Sequence, residues 1–154
     1  MTAPVNIGTV QPHLDIDSFR QAMRALASGV CIVASRNGAG APRGIAMTAV
    51  MSLSFEPPSL LLAINRQSSL LPSLQAHGRF SVNILGDDDG DWCQNFVSNP
   101  ADTRCADGDW ADDDSGAPVL RHAIASIMCD VDAIENFGSH AIIRGLVVKT
   151  TVGD

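Results

Sequence analysis

The chain has 154 residues, 45% of them hydrophobic, a formal net charge of -7 and a sequence pI of about 4.8. That length and apolar content suit one domain with a sizeable core and argue against disorder. The acidic balance repels phosphate backbones and so disfavours nucleic-acid binding, but a small anionic ligand can still be held by one or two local cations.

Residues 1–14 carry two prolines and no clear period, and read as an arm ahead of a single domain at 15–154. Residues 15–29 predict a helix, with Phe19, Met23 and Leu26 as an apolar stripe, Asp17 or Ser18 as the cap and Gly29 as the stop. Residues 30–35 form a short β-branched run that predicts a strand, and 37–44 are turn chemistry. A second strand, 44–56, would close a hairpin and end at Pro57 and Pro58, which cannot donate to a ladder.

In that second strand the alternation is informative. Ala46, Thr48, Val50, Ser52 and Ser54 fall in one row, and Ile45, Met47, Ala49, Met51 and Leu53 in the other. One face is predicted to pack a core. The other offers hydroxyls to a ligand, or simply to water.

Residues 59–65 predict a buried strand and 68–77 a short helix opened by Ser68 or Ser69 and stopped by Gly78. A strand at 79–85 and a short helix at 91–97 follow. The stretch 98–118 is polar and acidic and reads as solvated loops. Two long β patterns, 125–134 and 141–152, would be joined by a wide turn at 135–140. Six or so strands, in sequential hairpins with short helices between, predict a mainly β chain built as an antiparallel barrel.

Two apparent motifs fail. Gly38, Gly40 and Gly44 follow a strand, but their spacing is G-x-G-x-x-x-G and no helix comes next, so no pyrophosphate site forms. The aspartates at 87–91 and 107–114 do not fit a calcium loop: from Asp87, Trp92 stands where glycine is needed. Among Cys31, Cys93, Cys105 and Cys129 there is no C-x-x-C pair, so neither a zinc ribbon nor a redox pair is indicated, and no metal site is expected. No signal-peptide pattern opens the sequence and no apolar run approaches the ~20 residues that cross a bilayer. Reduced thiols, a cytoplasmic location and no membrane association are expected.

Several segments, in order, resemble the flavin reductase-like family: Ser28-Gly29-Val30, residues 44–58 (GIAMTAVMSLSFEPP), Asn65 to Ser68, and 78–85. The similarity continues through Asn95, Phe96, Trp110, 116–120, Ala123, Cys129 and 138–140. The resemblance implies a split β-barrel of Greek-key type, usually a homodimer, with FMN or FAD near the subunit interface. It implies hydride delivery from NADH or NADPH to the flavin, and supply of reduced flavin to a partner flavin-dependent monooxygenase. The alternative within the same fold is a non-catalytic FMN-binding protein for storage or sensing. A pyridoxal-phosphate oxidase relative would want a cluster of cations that a chain with 10 Lys plus Arg does not provide.

By the same resemblance, Met47, Thr48, Ala49, Val50 and Ser52 lie along the flavin. Asn65, Arg66, Ser68 and Ser69 are the phosphate candidates, since a permanent two-pronged charge and a helix start converge there; Arg43 is a second cation. Asn83, mid-strand, either reaches the flavin or ties down a loop. Phe96 lies either against a cofactor ring or in the core. His140 matches a Gly-Asp-His motif near the nicotinamide nucleotide and is the catalytic candidate. Here Ser139 replaces the motif's carboxylate, which bears on the choice of nicotinamide. Relatives commonly continue past the strand around Val147, which leaves three expectations open: a different closure of this barrel, compensation by residues 1–14, or a sequence that stops short of the natural end.

Overall fold

The structure, a computed structural model, describes residues 15–114 and 116–153. The arm expected at 1–14 lies outside the described residues. In chain order the elements are α1 (Ile16–Arg24), β1 (Cys31–Arg36), β2 (Pro42–Met47), β3 (Val50–Phe55), β4 (Pro58–Asn65), α2 (Leu70–His77), β5 (Arg79–Ile84), α3 (Gly90–Ser98), β6 (Trp110–Asp112), β7 (Pro118–Leu120), β8 (Ala125–Phe137) and β9 (His140–Val152).

Seven strands make one antiparallel sheet in the order β2-β1-β5-β8-β9-β4-β3, and β6 pairs with β7. The outermost strands are β2 and β3, yet only Thr48 and Ala49 separate them in sequence. A flat sheet of seven strands would hold its edges about 28 Å apart, and three Cα–Cα steps of about 3.8 Å cannot cover that. The sheet must therefore roll until its edges meet at this link. The edges do not pair along their lengths, so the roll stays open. This is the expected split barrel.

One expected strand is therefore two. The stretch 44–56 breaks at Thr48 and continues on the opposite edge of the sheet. Ile45 and Met47 keep their core-facing role, but Met51 and Leu53 are 59% and 43% exposed, because the row is re-aimed as the chain changes edge. A register shift between Ser52 and Ser54 disturbs the alternation again.

Val33, Leu62, Ile64, Phe80, Val82 and Ile143 are fully or almost fully buried inside the roll, and α2 plugs it with Leu70, Leu71 and Leu74. On the other face of β1, Ile32 packs with Phe96, Cys105 and Leu120 under α3, β6 and β7. β1 is thus buried on both faces, which is why its sequence is a continuous apolar run without alternation. Gly145 sits against Phe80: a Cβ there would come within 2.9 Å of the ring's Cε1 and 3.1 Å of the Cys129 Cβ, so only glycine lets β9 pass.

Three local expectations are corrected. Helix α1 is capped by Asp15, whose carboxylate accepts from the N–H groups of Asp17 and Ser18 at 3.2 Å, and it ends at Arg24, well before Gly29. The wide turn at 135–140 is a two-residue turn, Gly138-Ser139, with Gly138 at φ 56°, as a type II′ hairpin requires. The acidic stretch 98–118 contains β6, and three of its aspartates are engaged: Asp109 accepts from the Trp92 indole at 2.8 Å, Asp112 pairs with Arg36 and Asp113 with Lys149. No helix among the described residues is long and apolar enough to cross a membrane.

Candidate functional site

The link between β2 and β3 stands at the mouth of the roll. Thr48, Val50, Met51 and Ser52 form one wall of a cavity of about 450 Å³, faced by Ser28, Gly29, Cys31, Leu60, Val82, Ile84 and Ile127. Thr48, Ala49 and Ser52 are exposed, and Met47 turns inward against the main core. A second cavity of about 290 Å³ lies across the same wall, lined by Leu26, Ala49, Leu61 and Ala63 among others. The link is fixed by two backbone bonds: Val50 N–H donates to the Thr48 carbonyl at 2.9 Å and Ala63 N–H to that of Ala49 at 3.1 Å. An apolar slot with a few hydroxyls on one wall is the composition of a site for a planar organic ligand.

From Ala63 the outer face of β4 leads in two residues, about 7 Å, to Asn65. There Asn65, Arg66, Gln67 and Ser139 line a cavity of about 430 Å³. Arg66 is exposed, its guanidinium donating to the Gly138 carbonyl at 3.3 Å, and its backbone N–H bonds the Ser139 carbonyl at 3.0 Å. Arg20, Arg36, Arg79 and Arg144 are held by carboxylates, whereas Arg66 has no ion pair among the described residues. It is a cation available to an anion. His140 is directly opposite Asn65 in the β4–β9 pairing, and its Nδ1 lies 2.9 Å from the Ser139 Oγ. The structure thus gathers Asn65, Arg66 and His140 at one end of β4. Ser68 and Ser69 follow at the start of α2; the Ser68 hydroxyl accepts from the Leu70 N–H at 3.2 Å, and Ser69 makes no side-chain cap bond.

Two candidates are placed elsewhere. Asn83 is fully buried and its carboxamide is spent on the protein. The amide nitrogen donates to the Ile32 carbonyl at 3.0 Å and the Ser81 Oγ at 2.9 Å. The oxygen accepts from the Leu120 N–H at 3.0 Å and the Ser126 hydroxyl at 2.9 Å. It ties down the loop that carries β7 and has nothing left for a cofactor. Phe96 is 2% exposed, stacked on Trp92 at 5.3 Å with the Arg104 guanidinium 5.8 Å from its centre, and it borders neither cavity beside Thr48. Arg43 donates to the backbone carbonyls of Pro42 and Asp102.

The sequence reading missed the far wall of the slot. Ile84 and Ile127 come from strands distant in the chain, and only the sheet order brings them opposite Thr48; Leu60 comes from the next strand, β4, where it pairs with Ser52. No local pattern distinguishes them from core. Burial pushes the Cys31 thiol up from its usual value, so the sulfur facing the slot is neutral.

A rolled antiparallel sheet with an open slot at the seam, and a cation beyond it, defines a split-barrel protein of the cofactor-binding kind. Residues 23–154 match the family described as "Flavin reductase like domain", and the chain belongs to that family. It is 33% identical over 129 residues to the 4-hydroxyphenylacetate 3-monooxygenase reductase component of Pseudomonas aeruginosa, which covers 82% of this chain and 75% of that protein. It is 37% identical over 131 residues to "FMN reductase (NADH) RutF 1" of Methylorubrum extorquens, covering 84% of this chain and 65% of that one, slightly under two thirds of its length. Among solved structures, flavin reductase PheA2 in its native state superposes with a TM-score of 0.80 at 28% identity, over 92% of this chain and 90% of that one.

Proposed function

We propose that this protein is an NAD(P)H:flavin oxidoreductase that reduces FMN or FAD and supplies the reduced flavin to a partner flavin-dependent monooxygenase. The observation that carries the reading is the slot at the β2–β3 link, whose hydroxyl-bearing wall is exposed and whose floor is apolar. A flavin fits these residues: a planar ring needs apolar faces, edge donors from Thr48 to Ser52, and a cation for its phosphate. When bound, the flavin supplies the ring that accepts hydride from NADH or NADPH.

The chain's own residues position and exclude. Thr48, Ala49, Val50 and Ser52 hold the ring edge, and Ile84, Ile127 and Leu60 keep water from one face. Arg66, with Asn65 and the Ser68–Ser69 helix start, holds the phosphate. His140 stands on the outer face beside Asn65, its ring oriented by Ser139, where the nicotinamide nucleotide approaches.

The protein works as a homodimer in this reading. Ile16, Phe19, Met23 and Leu26 of the α1 region are 48–64% exposed in the single chain, and Phe55 at the end of β3 is 89% exposed. Apolar rows on that scale suit a partner copy. The four cysteines are free, which suits a reducing cytoplasm.

Mixing the protein with FMN or FAD and following NADH or NADPH absorbance tests the activity. Tight flavin binding without turnover of either donor would instead make it a flavin store or sensor.

A further inference from the structure

We propose that Phe137 is the platform on which the adenine of the nicotinamide dinucleotide stacks. This rests on the reading above, in which the hydride donor approaches the outer face of β4. Phe137 ends β8 and is directly paired with His140 across the two-residue turn, and His140 is directly paired with Asn65. Directly opposed residues of an antiparallel pair project from the same face. Phe137, His140 and Asn65 therefore stand in one row across three strands.

That row is on the outer face. The neighbours Ile64 and Ala141 are 1% and 0% exposed in the core, and side chains alternate. The same outer face of β4 carries Ala63 and Leu61, which line the cavity beside Thr48. A continuous surface thus runs from the flavin slot to Phe137.

Phe137 is 78% exposed and, among the described residues, makes no ring contact. Core packing does not explain an aromatic there. Two strand spacings and two residues of rise put it on the order of 12 Å from Ala63. A nicotinamide ring meeting the slot cannot also cover Phe137; the distal base of a dinucleotide can.

The test uses FMN as acceptor, so that no adenine comes from the flavin. Phe137→Ala is expected to raise KM for NADH about five- to tenfold, the lower range for loss of a base stacked on an aromatic. KM for reduced nicotinamide mononucleotide, kcat with either donor, and FMN affinity are expected to stay within about twofold. Phe137→Trp is expected to keep the NADH KM, and its added emission, above that of Trp92 and Trp110, to be quenched saturably by ADP-ribose.

An unchanged NADH KM in Phe137→Ala, or an equal rise for both donors, overturns the proposal. So does conversion of the variant to monomer in sedimentation, which would assign Phe137 to contact between copies. Absence of turnover in the wild type would sink the reductase reading instead, while ADP-ribose quenching still tests Phe137 alone.

Discussion

The carboxamide oxygen of Asn83 accepts the backbone N–H of Leu120 at 3.0 Å, joining β5 to β7 across 37 residues of chain. With its three other bonds this makes Asn83 the knot that holds the β6–β7 layer on the sheet. Asn83→Ala strands a buried N–H, a hydroxyl and a carbonyl at once. The expected cost is about 2–4 kcal/mol of stability, read as a lower urea midpoint, with FMN affinity per folded molecule unchanged.

Gly145→Ala drives a methyl into the Phe80 ring and the Cys129 side chain. All three sit in a close-packed interior, so β9 must shift away from β8. A loss of about 1–3 kcal/mol is expected in chemical denaturation. Trimming the ring with Phe80→Leu in the same chain should recover part of it.

Arg66→Ala is expected to weaken FMN binding about tenfold in a fluorescence titration, in line with loss of a charge-assisted contact. Riboflavin, which lacks the phosphate, should bind both forms alike. Equal weakening of both ligands would move the phosphate elsewhere.

Cys105 and Cys129 are pushed up to about 12, chiefly by burial, with Asp107 and Asp130 adding to it. Unfolded thiols titrate near 9.0. Between these values the folded chain retains protons that the unfolded chain has lost. Their contribution to stability is therefore full below pH 9 and falls as pH rises to about 12, by up to about 1.4 kcal/mol per pH unit for each thiol. Urea midpoints at pH 8 and pH 10 in reductant, compared with a Cys105→Ala, Cys129→Ala double variant, should show a flatter slope in the variant.

Phe19→Ser with Met23→Ser is expected to yield monomers in sedimentation. No residue of α1 is buried in the single chain, so circular dichroism should be preserved. A dimer that survives the change would place the interface away from α1.

How much of this was legible in the sequence depends on whether a signal was local. The strands at 30–35, 59–65 and 79–85 and the helix at 68–77 lie where composition and stop residues put them. The sequence predicts 44–56 as one continuous strand because alternation persists through Thr48 and Ala49 while the backbone changes edge, and a period of two carries no record of which edge it serves. The helix cap moved to Asp15 because several acceptors compete within three residues. Asn83 illustrates the limit on site reading. An amide mid-strand signals buried polarity in either role, and the choice between ligand and loop lies in partners 37 to 51 residues away. Phe137 has a similar character: a lone aromatic before a turn gains meaning only from the register that sets it beside His140 and Asn65.

The two-residue passage at Thr48 and Ala49 makes closure of the barrel and the grip on the ligand a single covalent fact. Length can be added to the surface loops of this chain at little penalty, yet a few glycines inserted at that passage would let the seam gape and pull the ring-holding hydroxyls out of line together. Any successful redesign of ligand choice must therefore exchange side chains along this seam while leaving its residue count alone.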